Sequence, residues 1–156
     1  MLKYVNYDIV FQEFPDEVTL AINLSRCPNH CPGCHSPYLR DDVGEELTAE
    51  RLAALIDSYA GGITCVALMG GDNAPDAVLT LLAGVRRQYG GTLRTGWYSG
   101  RTWQPAAEVL AASLDYLKLG PYVERLGPLG SSATNQRLYR VLPDGGTEDI
   151  TARFWK

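Results

Sequence analysis

Three of the four cysteines fall within eight residues, in the segment Cys27-Pro28-Asn29-His30-Cys31-Pro32-Gly33-Cys34-His35. The spacing is Cys-x3-Cys-x2-Cys. Three thiols crowded into one Pro/Gly-rich loop make a poor disulfide framework, because one is always left over; they make a good cup for a single metal centre. Cubane iron–sulfur clusters are held by cysteine thiolates, usually four. Three leave one iron with an open coordination position, which separates a catalytic centre from a closed structural one. A Cys3His zinc site recruiting His30 or His35 is the alternative, although structural zinc favours Cys-x2–4-Cys pairs and His35 directly follows Cys34. A plain group of buried or reactive thiols is a third reading. Cys65 stands alone in an apolar run and reads as a small buried hydrophobe.

Two glycine-bearing segments follow. In Gly70-Gly71-Asp72 a ligand's polar head could approach the backbone where no Cβ intervenes, with N–H groups turned toward a carboxylate. A tight strand-to-helix turn explains the same glycines. Gly120-Pro121-Tyr122 is the second segment, and Asn135-Gln136-Arg137 precedes the closing strands, as a wall of a site, a partner surface or a turn.

These residues need elements to position them. Residues 18–24 are β-branched and apolar, and predict a buried strand that runs into the cysteine loop. Thr48 predicts an N-cap, with Leu52, Leu55, Ile56 and Tyr59 on one helical face and Gly61-Gly62 as the stop. Residues 63–69 predict a second buried strand ending at Gly70. Pro75 suits a first helical turn, followed by Val78, Leu81, Leu82 and Val85 on one face. Residues 92–99 read as a third strand, 105–113 as a short helix and 115–119 as a fourth strand. Residues 137–142 and 147–154 read as extended, joined by the turn Pro143-Asp144-Gly145-Gly146.

Repeated β-α units imply parallel strands with right-handed crossovers. An eight-unit barrel needs roughly 250 residues, and the chain has 156. The expected fold is therefore α/β, a partial, open (β/α) barrel or a doubly wound sheet, in one domain spanning residues 1–156. In either, chemistry sits past the C-terminal ends of the strands.

Composition excludes several classes. The net charge is −4 and Lys and Arg are scattered, which argues against nucleic acid as a partner. With 16 glycines and 9 prolines a helical bundle is excluded. No apolar run approaches the ~20 residues of a membrane span, and the first residues carry no targeting pattern. A cytoplasmic protein with reduced thiols and no membrane partner is expected.

The motif Cys27-Pro28-Asn29-His30-Cys31-Pro32-Gly33-Cys34-His35-Ser36-Pro37, placed after a strand, resembles the radical S-adenosylmethionine (radical SAM) superfamily. Met69-Gly70-Gly71-Asp72, Gly120-Pro121-Tyr122 and Gly130-Ser131-Ser132-Ala133-Thr134-Asn135-Gln136-Arg137 extend the likeness over nearly the whole chain. With the short length, the last two segments make it similar to the activating proteins of the anaerobic ribonucleoside-triphosphate reductase, a glycyl-radical enzyme. Two positions depart from the superfamily pattern: Gly33 stands where many members carry an aromatic residue, and Asp72 where the glycine motif usually ends in Glu.

The resemblance implies an open (β/α) barrel of the radical SAM type. Cys27, Cys31 and Cys34 would hold a [4Fe–4S] cluster, whose fourth iron chelates S-adenosylmethionine. One electron would cleave the sulfonium to methionine and a 5′-deoxyadenosyl radical, which takes a hydrogen atom from a glycine Cα of the reductase. A low-potential donor such as a flavodoxin-type protein would supply that electron. Gly33 and His35 would lie beside the adenosyl group, His35 alternatively capping the loop. Gly70, Gly71 and Asp72 would contact the cofactor, and Ser99, with Tyr98, could touch its ribose, a surface serine and a packed tyrosine being the plainer roles. A small radical SAM enzyme with another substrate, or a zinc-binding interaction module, are the competing functions.

Overall fold

Eight strands join in a single open sheet in the computed structural model, which describes residues 2–29 and 37–155. In chain order the strands are β1 (Lys3–Val10), β2 (Thr19–Leu24), β3 (Glu45–Glu46), β4 (Cys65–Met69), β5 (Arg94–Tyr98), β6 (Tyr116–Leu119), β7 (Arg137–Val141) and β8 (Thr147–Asp149). The helices are α1 (Ala49–Ser58), α2 (Pro75–Tyr89) and α3 (Ala107–Ser113). Spatial order is β3-β1-β2-β4-β5-β6-β7-β8. The four central strands β2, β4, β5 and β6 are parallel, with α1, α2 and α3 as the successive crossovers. Their C-terminal ends therefore lie together along one rim of the sheet.

The parallel centre follows from the apolar runs. Every residue of β2 except Asn23 is buried, as expected of a strand covered on both faces. Alternation then splits the side chains. Leu20, Ile22 and Leu24 of β2, Val66 and Leu68 of β4, Trp97 of β5 and Leu117 of β6 pack with Leu52 and Ile56 of α1 and Val78 and Leu82 of α2. Cys65, Ala67 and Tyr116 face the other way and form a smaller core with Phe14 and Leu138.

Local signals hold where backbone chemistry enforces them. Thr48 caps α1, its Oγ1 accepting from the Arg51 N–H at 3.1 Å. Pro75 opens α2, and Leu79 rather than Leu81 completes its buried face with Val78, Leu82 and Val85. The Pro143–Gly146 turn joins β7 to β8, with Gly145 at φ +86°.

Three expectations need correction. The sheet is not purely parallel: β1 and β3 close one side and β7 and β8 the other, all antiparallel. The strand expected over 147–154 stops at Asp149, whose Oδ1 accepts from both the N–H (2.9 Å) and the Oγ1 (2.6 Å) of Thr151. That local competition turns Thr151–Phe154 into a 3-10 turn. The short helix begins at Ala107, two residues after Pro105. The result is a mixed α/β fold with one open sheet.

Candidate metal centre and cofactor rim

The cysteine loop leaves β2 under tight backbone control. Ser25 donates its N–H to the Lys3 carbonyl (3.0 Å) and its Oγ to the Val43 carbonyl (2.6 Å). Arg26 adopts φ +62°, rare for a residue with a Cβ, and its N–H reaches the Asp41 carbonyl at 3.0 Å. Cys27 donates its N–H to the Leu39 carbonyl at 2.8 Å and is half-buried. The two ends of the loop are thus pinned to each other. Cys31, Cys34, Gly33 and His35 lie outside the described residues, as does His30.

Asp72 organises the rim. It is 2% exposed and sits just past β4. Its Oδ1 accepts from Ser99 Oγ at 2.6 Å; its Oδ2 accepts from the Gly100 N–H at 2.8 Å and from Asn29 Nδ2. Arg101 Nη2 donates to the Asp72 carbonyl at 3.0 Å, and the Arg101 N–H to Ser99 Oγ at 3.1 Å. One carboxylate therefore ties the loops that follow β2, β4 and β5. A carboxylate offers about four lone-pair sites, and three are used here. The Asp72 carboxylate is thus bound by groups of the chain itself.

The glycines have mainly internal reasons. Gly70 and Gly71 take φ of +103° and +87°. The Gly70 N–H donates to the Tyr98 carbonyl (2.9 Å) and its carbonyl accepts from Trp97 Nε1 (2.6 Å), so this N–H does not face a ligand carboxylate. A Cβ on Gly71 would lie 2.5 Å from Val78 Cγ2. Both glycines sit in the tight turn between β4 and α2. Ser99 is buried rather than on the surface, with its hydroxyl both donating and accepting within the rim.

The face of the sheet away from the helices is partly filled. Phe14, fully buried, lies over Gly96, where a Cβ would come within 2.4 Å of its ring. The ring stacks on Tyr116 (centroids 5.0 Å apart) and meets Tyr98 edge-on (5.2 Å). A cavity of about 520 Å3 has Tyr98 in its wall, together with Lys118, Tyr122, Gln136 and Glu13. Lys118 donates to the carbonyls of Ser99 (3.3 Å) and Gly120 (2.9 Å), linking cavity and rim.

Residues 18–141 match the family described as a 4Fe-4S single cluster domain. The chain belongs to that iron–sulfur family. No curated protein and no solved structure matches it. As a 4Fe-4S single cluster domain the chain favours a cluster over zinc as the occupant of the cysteine loop. The matched residues run from just before β2 to the end of β7 and so take in the parallel strands, the rim and the cysteine loop. Cys27 fits such a group: a half-buried thiol just past the end of β2, on a backbone fixed by the Leu39 carbonyl and, through Arg26, the Asp41 carbonyl. Cys65 does not belong to the centre, being wholly buried at the start of β4, at the end of the strand away from the rim, where burial pushes its thiol pKa far up. No helix among the described residues is long and apolar enough to cross a membrane.

Four residues of this rim escaped the sequence reading. Asn29 and Lys118 left a trace: a carboxamide inside the cysteine motif, and one charge in an otherwise apolar strand. Gly100 and Arg101 left none. At Gly100 a Cβ would meet Asn29 Nδ2 at 2.6 Å, so a larger residue there displaces the Asn29 side chain from its place on Asp72.

Proposed function

We propose that this chain is a radical SAM activase that generates a glycyl radical on the anaerobic ribonucleoside-triphosphate reductase. Iron–sulfur family membership supports it, in a family found in radical SAM activating enzymes. So does the Cys27, Cys31, Cys34 spacing, with one open iron position. The observation that carries the reading is the Asp72 tie, which joins Asn29 of the cysteine loop to the ends of β4 and β5, the rim at which open α/β sheets bind their ligands.

When bound, the cluster would supply the one-electron chemistry that cleaves S-adenosylmethionine, with a low-potential donor such as a flavodoxin-type protein as the source of the electron and the target glycine as the source of the hydrogen atom. The residues of this chain supply ligation, orientation and exclusion of side reactions. Cys27, with Cys31 and Cys34, would hold three irons. Asp72, through Asn29, sets the loop between the first two of them. Gly70, Gly71, Ser99 and Asp72 shape the floor on which the cofactor lies, and Gly33 and His35 flank the third thiolate. The open sheet leaves the cavity reachable by a protein substrate.

Anaerobic reconstitution with iron and sulfide tests the reading. The expected product is a brown protein that, once reduced, makes 5′-deoxyadenosine from S-adenosylmethionine and a glycyl radical, seen by EPR, on the reductase. Cleavage without the radical would transfer the chain to another substrate. A colourless, zinc-loaded protein making no 5′-deoxyadenosine would refute the proposal outright.

A further inference from the structure

The hydrogen bonds of Asp72 account for its place in the rim but not for its charge. Its partners are all uncharged: Ser99 Oγ on Oδ1 (2.6 Å), and the Gly100 N–H (2.8 Å) and Asn29 Nδ2 on Oδ2. The Ser99 hydroxyl accepts from the Arg101 N–H at 3.1 Å, which leaves its own proton for Asp72. All three partners therefore donate, a set that fits an ionised carboxylate, which only accepts. The neighbouring cations bind elsewhere. Arg101 Nη2 donates to the main-chain carbonyl of Asp72 (3.0 Å), and Lys118 Nζ to the carbonyls of Ser99 (3.3 Å) and Gly120 (2.9 Å). Among the described residues no ion pair reaches the Asp72 side chain. At 2% exposure the charge is poorly screened by solvent as well.

Position along the chain gives that charge something to act on. Asn29 lies two residues after Cys27 and two before Cys31. Two residues span at most about 7 Å. Asn29 holds Asp72 with the end of its own side chain, which bounds the distance from the carboxylate to the Cys27 thiol at roughly 15 Å. Iron–sulfur reduction potentials respond to the net charge around the cluster, to hydrogen bonds and to exposure. Reduction adds an electron, and a fixed negative charge opposes it. At roughly 15 Å and an effective dielectric near 20, one unit charge shifts a one-electron equilibrium about sixfold.

We propose that the Asp72 charge holds down the reduction potential of a cluster on Cys27, Cys31 and Cys34, so that the reduced centre is a stronger reductant. The proposal rests on the ligand set of the activase reading and deepens it by naming a residue that sets the driving force for the electron. Hydrogen bonding and charge are separable here. An asparagine at position 72 keeps the size of the side chain and part of the tie, and loses the charge. Arg101 offers the opposite sign at the same place, since its guanidinium sits on the Asp72 carbonyl.

The test is a redox titration of the anaerobically reconstituted protein, followed by EPR of the reduced cluster. S-adenosylmethionine is left out, so that its binding does not contribute. In Asp72→Asn the ratio of reduced to oxidised cluster at the wild-type midpoint should rise about fivefold or more, which is about 40 mV for a one-electron couple. Ser99→Ala removes one hydrogen bond and keeps the charge, and should change the ratio by less than about twofold. Arg101→Gln removes a cation, and the ratio should fall, by only about twofold because this side chain is exposed and screened. Opposite signs in the two variants are the mark of a charge effect, which a loosened loop does not give. An Asp72→Asn protein that loads its cluster and keeps the wild-type ratio overturns the proposal. Where that variant takes up no cluster, an unchanged or raised ratio in Arg101→Gln overturns it. Either result leaves the activase reading standing. Wild-type protein that titrates normally but makes no 5′-deoxyadenosine once S-adenosylmethionine is added refutes that reading and leaves the charge effect in place.

Discussion

Replacing Asp72 by alanine removes one carboxylate and strands three donors: Ser99 Oγ, the Gly100 N–H and Asn29 Nδ2. Hydrogen bonds to charged groups contribute about 1.5–3 kcal/mol each, and a buried donor left without a partner costs about 1–3 kcal/mol. Ser99 can rotate its hydroxyl and Asn29 can turn toward water, so the three losses do not add in full. An expected destabilisation of about 3–4 kcal/mol remains, which for a chain of this size lowers the melting midpoint by roughly 6–16 °C. The measurement is thermal unfolding of the apo protein at pH 7 by circular dichroism, with Ser99→Ala as the comparator that loses one donor and keeps the tie. Asn29→Ala and the Asn29→Ala/Asp72→Ala double variant complete a cycle, whose coupling should exceed about 1 kcal/mol for groups in direct contact. A midpoint for Asp72→Ala within 3 °C of wild type, or a coupling near zero, would show that the carboxylate does not bind the loops together.

Three further outcomes are expected. Gly96→Ala puts a Cβ 2.4 Å from the Phe14 ring, so the plug must move, at about 1–3 kcal/mol for overpacking; an unchanged melting midpoint would contradict the plug. Burial raises the pKa values of Cys65, Tyr98 and Tyr116 above their ordinary ones, with the Glu17 carboxylate adding to the burial effect at Tyr116. These groups keep their protons in the folded state while the unfolded chain loses them, so stability is full below about pH 9 and declines above it. Urea midpoints from pH 8 to 10.5 should fall in wild type and fall less steeply in Cys65→Ala; parallel curves would sink the assignment. Finally, Cys27→Ala should lower reconstituted iron to less than half of wild type and abolish 5′-deoxyadenosine formation, with the apo protein still folded; full cluster content would remove Cys27 from the ligand set.

The parallel centre was legible because burial on both faces leaves only apolar, β-branched residues at 18–24 and 63–69. The capped start of α1 was legible because Thr48 satisfies a backbone N–H locally. The edge strands were not. β1 exposes Asn6, Tyr7 and Asp8 in succession, so it lacks both a continuous apolar run and an alternation, and it is a strand because β2 offers it a ladder. At the site, cysteine spacing declares itself along the chain. The Asp72 tie is different in kind: Asn29, Asp72 and Gly100 meet across three loops, and nothing in any one of them states the other two.

That same tie has a consequence for the order in which the molecule is built. Asn29 and Asp72 are 43 residues apart, and Asp72 and Gly100 are 28 apart. Contacts between distant residues form only after the entropy of closing the intervening chain has been overcome. A chain in which β4 and β5 have not yet paired therefore lacks the partners that hold Asn29. The fixed position of Asn29, two residues after Cys27, is therefore a late product of folding, one that waits on the pairing of the central strands.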